Sequence, residues 1–147
     1  MTNTKARRVR GCSLALGILV TCCRVAAPSD IVGRWSLVDD SGAATGKAVL
    51  SFAPDGVLVA TDAPADWLYD SGVGRAKPVT GKARWKLIKD GPEQTVECVF
   101  EQIVSGGQGS TPYRAALRLA RQGSGYVLYY SLGDPDEGRR RTFVRIE

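Results

Sequence analysis

The sequence predicts an all-β fold: one single antiparallel up-and-down meander of about eight or nine strands, closed into a small barrel. Three observations carry this expectation. From residue 31 onward, short runs alternate apolar and polar residues. Clusters of Gly, Pro, Asp and Ser separate those runs at regular spacing. No part of that region repeats its apolar residues at the helical period over a useful length. Short alternating runs with regular turn signals are the pattern of a sandwich or barrel.

The elements follow in order. "DIVGRWSLVD" reads as a first strand, and "KAVLSFA" and "VLVAT" flank "PDG", a tight-turn signal. "ADWLYD" reads as a short strand. "KARWKLIK" and "TVECVFEQIV" form the next pair, followed by "YRAALRLARQ" and "YVLYYSL" around "GSG". "GDPDEG" then turns into "RRTFVRIE". Face by face, Ala83, Trp85 and Leu87 oppose Lys82, Arg84 and Lys86. Val96, Cys98 and Phe100 oppose Glu97, Val99 and Glu101, and Tyr113, Ala115, Leu117 and Leu119 oppose Arg114, Ala116 and Arg118. A slip of one residue would bury the charges, so register is well specified. The dry faces add Trp35, Leu37, Leu50 and Phe52 and fill most of a narrow eight-stranded barrel.

The leader has a separate character. "KARRVRG" is a positive segment, and "CSLALGILVT" is an apolar run too short to span a bilayer as a helix. Residues 1–22 therefore read as an export signal helix, 23–30 as a short flexible stem, and 31–147 as the barrel domain. Leu19-Val20-Thr21-Cys22 resembles a lipobox, with Thr21 where Gly or Ala is usual. Cys22, or alternatively Cys23, is the expected lipidation site; ordinary cleavage and secretion is the alternative. The chain carries a formal net charge of +5, but Lys5, Arg7, Arg8 and Arg10 lie in the leader. The remainder holds 16 basic and 15 acidic residues, a net of +1. A nucleic-acid surface, which needs clustered cations on the folded part, is not expected.

Cysteine and histidine counts narrow the chemistry. Only Cys98 lies in the barrel region, where it reads as a small buried apolar residue. The chain has no histidine. That removes the usual neutral-pH base, histidine-dependent triads and most zinc sites. Asp39/Asp40 and Asp134/Asp136 are adjacent acids at turns. Carboxylate catalysis needs two acids on opposite sides of a cleft. "DPDEG" is a fragment of a calcium loop followed at once by Arg139, Arg140 and Arg141, which oppose a dication. It reads instead as a hairpin turn. Pro135 fixes φ, Asp134 accepts from backbone amides ahead, and Gly133 and Gly138 take unusual dihedrals around Asp136. No catalytic residue, metal or cofactor is expected.

Two loops interrupt the rhythm: residues 61–81 and 105–112. Long loops in compact domains are often functional. Trp67 and Tyr69 in the first either line a barrel mouth and bind a ligand or plug the barrel end. The cations Lys82, Arg84, Lys86, Arg114, Arg118, Arg139, Arg140 and Arg141 form either a basic patch or a solvated face paired with Glu97 and Glu101.

Gly33-Arg34-Trp35 followed by "LSFAPDG" resembles the start of lipocalin-like barrels. The resemblance implies that Gly33 and Trp35 close the barrel base and that a late arginine, Arg145 or Arg141, covers the indole by a cation–π contact. The second lipocalin motif, of Thr-Asp-Tyr type, is absent. "FAPDG", "APADW", "TGKARW", "YRAALRL" and "GDPDEGRRRTFVR" together resemble a group of small uncharacterised bacterial secreted proteins and lipoproteins. That resemblance implies export and a shared fold, and brings no activity. The expectation is an exported monomer, lipid-anchored to the cell envelope or secreted, that binds a small apolar ligand or an envelope protein. It touches the membrane through its anchor only. The alternative is a secreted inhibitor or toxin-neutralising protein acting through residues 61–81 or 105–112.

Overall fold

A computed structural model describes residues 25–68, 77–90, 93–105 and 112–147. The leader, Cys22, Cys23, Tyr69 and most of the 105–112 loop lie outside the described residues. Eight strands form a closed barrel: β1 (Gly33–Val38), β2 (Ala44–Phe52), β3 (Val57–Ala63), β4 (Val79–Asp90), β5 (Glu93–Ser105), β6 (Tyr113–Gln122), β7 (Gly125–Ser131) and β8 (Arg140–Arg145). Each pairs antiparallel with its chain neighbour, and β8 returns to β1 through Trp35↔Arg145, Ser36↔Val144 and Leu37↔Phe143. Closure removes the unpaired edges that an open sheet must protect.

The barrel thus has the lower of the two strand counts. The described part of "ADWLYD" supplies no strand: Ala65–Trp67 is a 3-10 turn entered through Pro64. Ala65, Trp67 and Leu68 are all buried there. A half-exposed strand would alternate, whereas a tight turn pressed into a core buries neighbouring residues together. A four-residue helix, α1 (Pro28–Ile31), precedes β1 and lies within what the sequence suggests as stem and strand.

Register realises the predicted faces. Trp35 sits opposite Leu50, Phe52 opposite Leu58, and Leu58 opposite Ala83. Trp85 then faces Cys98, and Cys98 faces Ala115. Leu119↔Leu128 and Leu128↔Phe143 complete the ring. Leu50, Leu58, Val96, Cys98, Phe100, Leu117, Leu128 and Phe143 are fully buried. Each large apolar side chain of this kind contributes about 1.5–3 kcal/mol. Burial pushes the Cys98 thiol well above its ordinary range, so it stays a protonated core residue.

The antiparallel order gives the barrel two rims. The terminal rim carries α1, the start of β1, the end of β8 and the β2–β3, β4–β5 and β6–β7 connections. The loop rim carries the other four connections. Among the described residues every strand pairing falls within residues 33–145 and Ala26 is buried, so residues 25–147 carry the whole described core.

The described interior is filled by the protein's own side chains. At the loop rim Trp67 turns inward and meets Phe100 edge to face, with ring centroids 5.6 Å apart. Tyr130 and Phe143 lie 6.5 Å from it. Toward the terminal rim Phe52 meets Trp85 edge to face at 5.5 Å. Each indole N–H finds a backbone carbonyl: Trp35 donates to Ile31, Trp67 to Ala116 and Trp85 to Ala53. A buried indole left unpaired would lose a hydrogen bond to water without replacement.

Candidate ligand site at the terminal rim

The predicted barrel-closure residues meet at the terminal rim. Trp35 is 1% exposed beneath Ile31 of α1. Gly33 has φ +133°, a conformation that L side chains rarely adopt. A Cβ there would run into the carbonyl oxygen of Glu147 and lie 3.1 Å from the Arg145 guanidinium. Arg145 donates from Nη2 to the Val32 carbonyl at 2.6 Å and from Nε to the Glu147 carbonyl at 3.2 Å. Its guanidinium therefore ties Val32, just before β1, to Glu147, just after β8, across Gly33. The cation–π contact among the described residues is Arg140 over Tyr129, at 5.1 Å. Arg141 goes instead to Asp66 at the loop rim, 3.0 Å away.

Beside this closure lies a hollow of about 490 Å³. Its floor is Trp35, and its walls include Val127, Val144 and Tyr126. Its charges are Asp30, Arg121 and Arg145. The β6–β7 hairpin builds the wall: Arg121 sits opposite Tyr126, and Gln122 opposite Gly125, around Gly123 at φ +60°. Arg121 is exposed and makes no ion pair or hydrogen bond among the described residues. The Asp30 carboxylate accepts from the Ala27 amide at 2.8 Å and so belongs to the α1 cap. The lining presents two guanidiniums and one carboxylate, a setting for an anion attached to an apolar or aromatic body.

The other sequence candidates have structural partners. Trp67 is 7% exposed and fills the loop end of the barrel. Its neighbour Asp66 accepts from the Tyr130 hydroxyl at 2.5 Å and from Arg141 Nε at 3.0 Å. Burial, aided by that carboxylate, holds the Tyr130 phenol far above its ordinary range, so it remains a donor. Trp67, Phe100, Tyr130 and Phe143 together occupy the interior at this end of the barrel. Pro135–Glu137 forms a 3-10 turn; Asp134 accepts from the Asp136 amide, and Gly133 and Gly138 have φ of 71° and 68°. Asp39 caps the β1–β2 turn by accepting from Ser41 and Ala43, and the Ser41 hydroxyl bond holds its carboxyl below the usual range.

The outward cations of β4–β6 are largely paired. Lys86 and Arg114 reach Glu97 at 2.7 and 3.1 Å, Arg84 reaches Glu101 at 3.8 Å, and Arg118 reaches Glu93 at 3.3 Å. Exposed pairs of this kind contribute about 0–1 kcal/mol each. Lys86, by hydrogen bond and then by charge, and Arg114 beside it hold the Glu97 carboxyl below its ordinary value. A depressed carboxyl stabilises the fold above its unfolded-state value, and that contribution disappears as pH falls through the folded-state value. Acid titration of folding stability is therefore expected to flatten slightly in Glu97→Gln, read by urea midpoints below pH 5. An unchanged acid limb would remove Glu97 from the pairing.

The site residues that sequence reasoning passed over are Arg121, Tyr126 and Asp30. The signal for the first two is "RQGSGY", in which Arg121 and Tyr126 are non-adjacent in sequence but directly opposite once the hairpin forms, whereas Asp30 has no comparable signal. Compared with protein-family models, curated proteins and solved structures, the chain matches none. Fold and site thus define the class as an eight-stranded up-and-down β-barrel with a packed interior and a charged hollow at its terminal rim.

Proposed function

We infer that this chain is an exported, lipid-anchored, non-enzymatic β-barrel that binds its ligand or partner on its surface. One observation carries the binding half: the barrel interior is packed, while an arginine-bearing hollow stands open at the terminal rim. The leader supports the export half, through its basic segment, short apolar run and Cys22. The same features agree with the group of bacterial secreted proteins and lipoproteins that the sequence resembles. The inhibitor reading rests on residues 61–81 or 105–112, of which 69–76 and 106–111 lie outside the described residues. The described part of the first loop is turned into the core through Trp67.

Lipidation is tested by metabolic labelling with radioactive palmitate in a bacterial host. Label is expected in the full chain and absent from Cys22→Ala. Label kept in Cys22→Ala and lost in Cys23→Ala moves the anchor by one residue. Absence of label from the unmodified chain sinks the anchor and leaves plain secretion.

A further inference from the structure

The hollow and the N-terminal segment share one rim, and this fixes what the hollow would face. Ala26 is buried and held by a reciprocal pair of hydrogen bonds, its N–H to Gln94 Oε1 at 2.8 Å and its carbonyl from Gln94 Nε2 at 3.0 Å. Ala26 is therefore clamped to β5 at the terminal rim. Cys22 lies four residues earlier. A fully extended chain covers at most about 3.6 Å per residue. An acyl chain on Cys22 would thus hold the terminal rim within about 14 Å of the membrane surface. The hollow, at that rim, would be turned toward lipid headgroups.

Its chemistry suits them. Arg121 is an exposed guanidinium without a partner among the described residues. Arg145 is held in place by two backbone carbonyls, so its position does not depend on a ligand. Together with Asp30 the charged lining is net positive. Guanidinium groups bind phosphate oxygens through paired, charge-assisted hydrogen bonds. Tyr126, Val127 and Val144 supply an apolar side for the carbon part of a headgroup. We propose that the hollow at the terminal rim is a binding site for the phosphate-bearing headgroup of an anionic membrane lipid, with Arg121 as its principal anion contact. This rests on the lipid-anchored reading for its orientation but not for its test.

The test uses residues 25–147, which carry the whole described core and lack both candidate lipidation cysteines. Co-sedimentation is measured with phosphatidylcholine vesicles with and without phosphatidylglycerol, and titration calorimetry with glycerol 3-phosphate. Binding is expected only to vesicles containing phosphatidylglycerol. Arg121→Gln should weaken it about tenfold, as for loss of one charge-assisted contact. Arg118→Gln removes a cation of the outer face that is paired with Glu93 and should leave binding unchanged. Equal losses in the two variants would show general charge attraction and overturn the site. Absence of vesicle binding overturns it as well. Binding of glycerol 3-phosphate without vesicle preference overturns the headgroup assignment in favour of a soluble phosphate ester. Vesicle binding that depends on Arg121 in a chain that takes up no palmitate supports the site and removes only the anchor.

Discussion

Trp67→Ala is expected to destabilise the barrel by about 3–5 kcal/mol, the range for emptying a buried tryptophan site. The indole is 7% exposed and stands among Phe100, Tyr130 and Phe143, with its N–H donated to the Ala116 carbonyl at 3.2 Å. Truncation removes the ring's burial, its ring contacts and that hydrogen bond together. Collapse of the turn into the gap would soften the loss, but the turn is held from outside. Asp66, next to Trp67, is bonded to both Tyr130 and Arg141 on neighbouring strands. The vacated volume therefore persists, and cavity cost adds to the lost transfer energy. Trp67→Phe keeps most of the ring and forfeits the N–H, so a loss nearer 1 kcal/mol is expected. Urea unfolding measures both, and an unchanged slope with a lower midpoint identifies a stability effect alone. A loss below about 1 kcal/mol in Trp67→Ala would mean that the ring is a surface aromatic after all, and would return Trp67 to the ligand candidates.

The strands were legible because their alternation is local. Lys82 through Lys89 assigns Trp85 inward and Lys86 outward before any partner is known, and the structure follows that assignment. Cys98 was readable for the same reason: it shares a face with Val96 and Phe100, and all three are fully buried. The terminal turn was legible from its residue types, since Gly133, Pro135 and Gly138 act through their own backbone and Asp134 acts through its side chain on the nearby Asp136 amide. Trp67 was not, because periodicity ends where the chain leaves the sheet. Whether an aromatic residue in a loop turns in or out depends on what the barrel has left unfilled. The hollow was the least legible feature. Arg121, Tyr126, Arg145 and Asp30 come from three separated stretches, and only closure of β8 on β1 and docking of α1 bring them to one rim. The arginines after "GDPDEG" show the same limit. Arg139 pairs with Glu137, Arg140 covers Tyr129, Arg141 reaches Asp66 and Arg145 joins Val32 to Glu147. Their run in sequence suggests one patch, and strand alternation sends them to four different tasks.

Gly81→Ala is the sharper test of the barrel's construction, with an expected loss of about 2–3 kcal/mol from a single added methyl group. Gly81 lies in β4 opposite Ile103, between two irregularities of register with β5, one at Thr80/Gly81 and one at Lys82/Ala83. A Cβ at Gly81 would press well inside contact distance of the Gln102 carbonyl oxygen and lie 3.2 Å from the Ile103 Cα. Both obstacles are backbone, so no rotamer change relieves them. Relief requires β4 and β5 to separate at the point where register already shifts, and this seam is the longest in the barrel. Intrinsic strand preference pulls the other way, since alanine costs less backbone entropy than glycine, but that difference is about 0.5–1 kcal/mol and loses to the clash. Gly125→Ala in β7 isolates the two effects, because no atom stands within 4 Å of its added Cβ. That variant is expected to be neutral or slightly stabilising. Hydrogen exchange should then locate the Gly81→Ala damage, with faster exchange at Lys82 and Ile103 than at Leu128. Equal stability of the two variants would show that β4 and β5 accommodate the methyl group without parting, and would remove the bulge at Gly81 as a fixed feature of the fold.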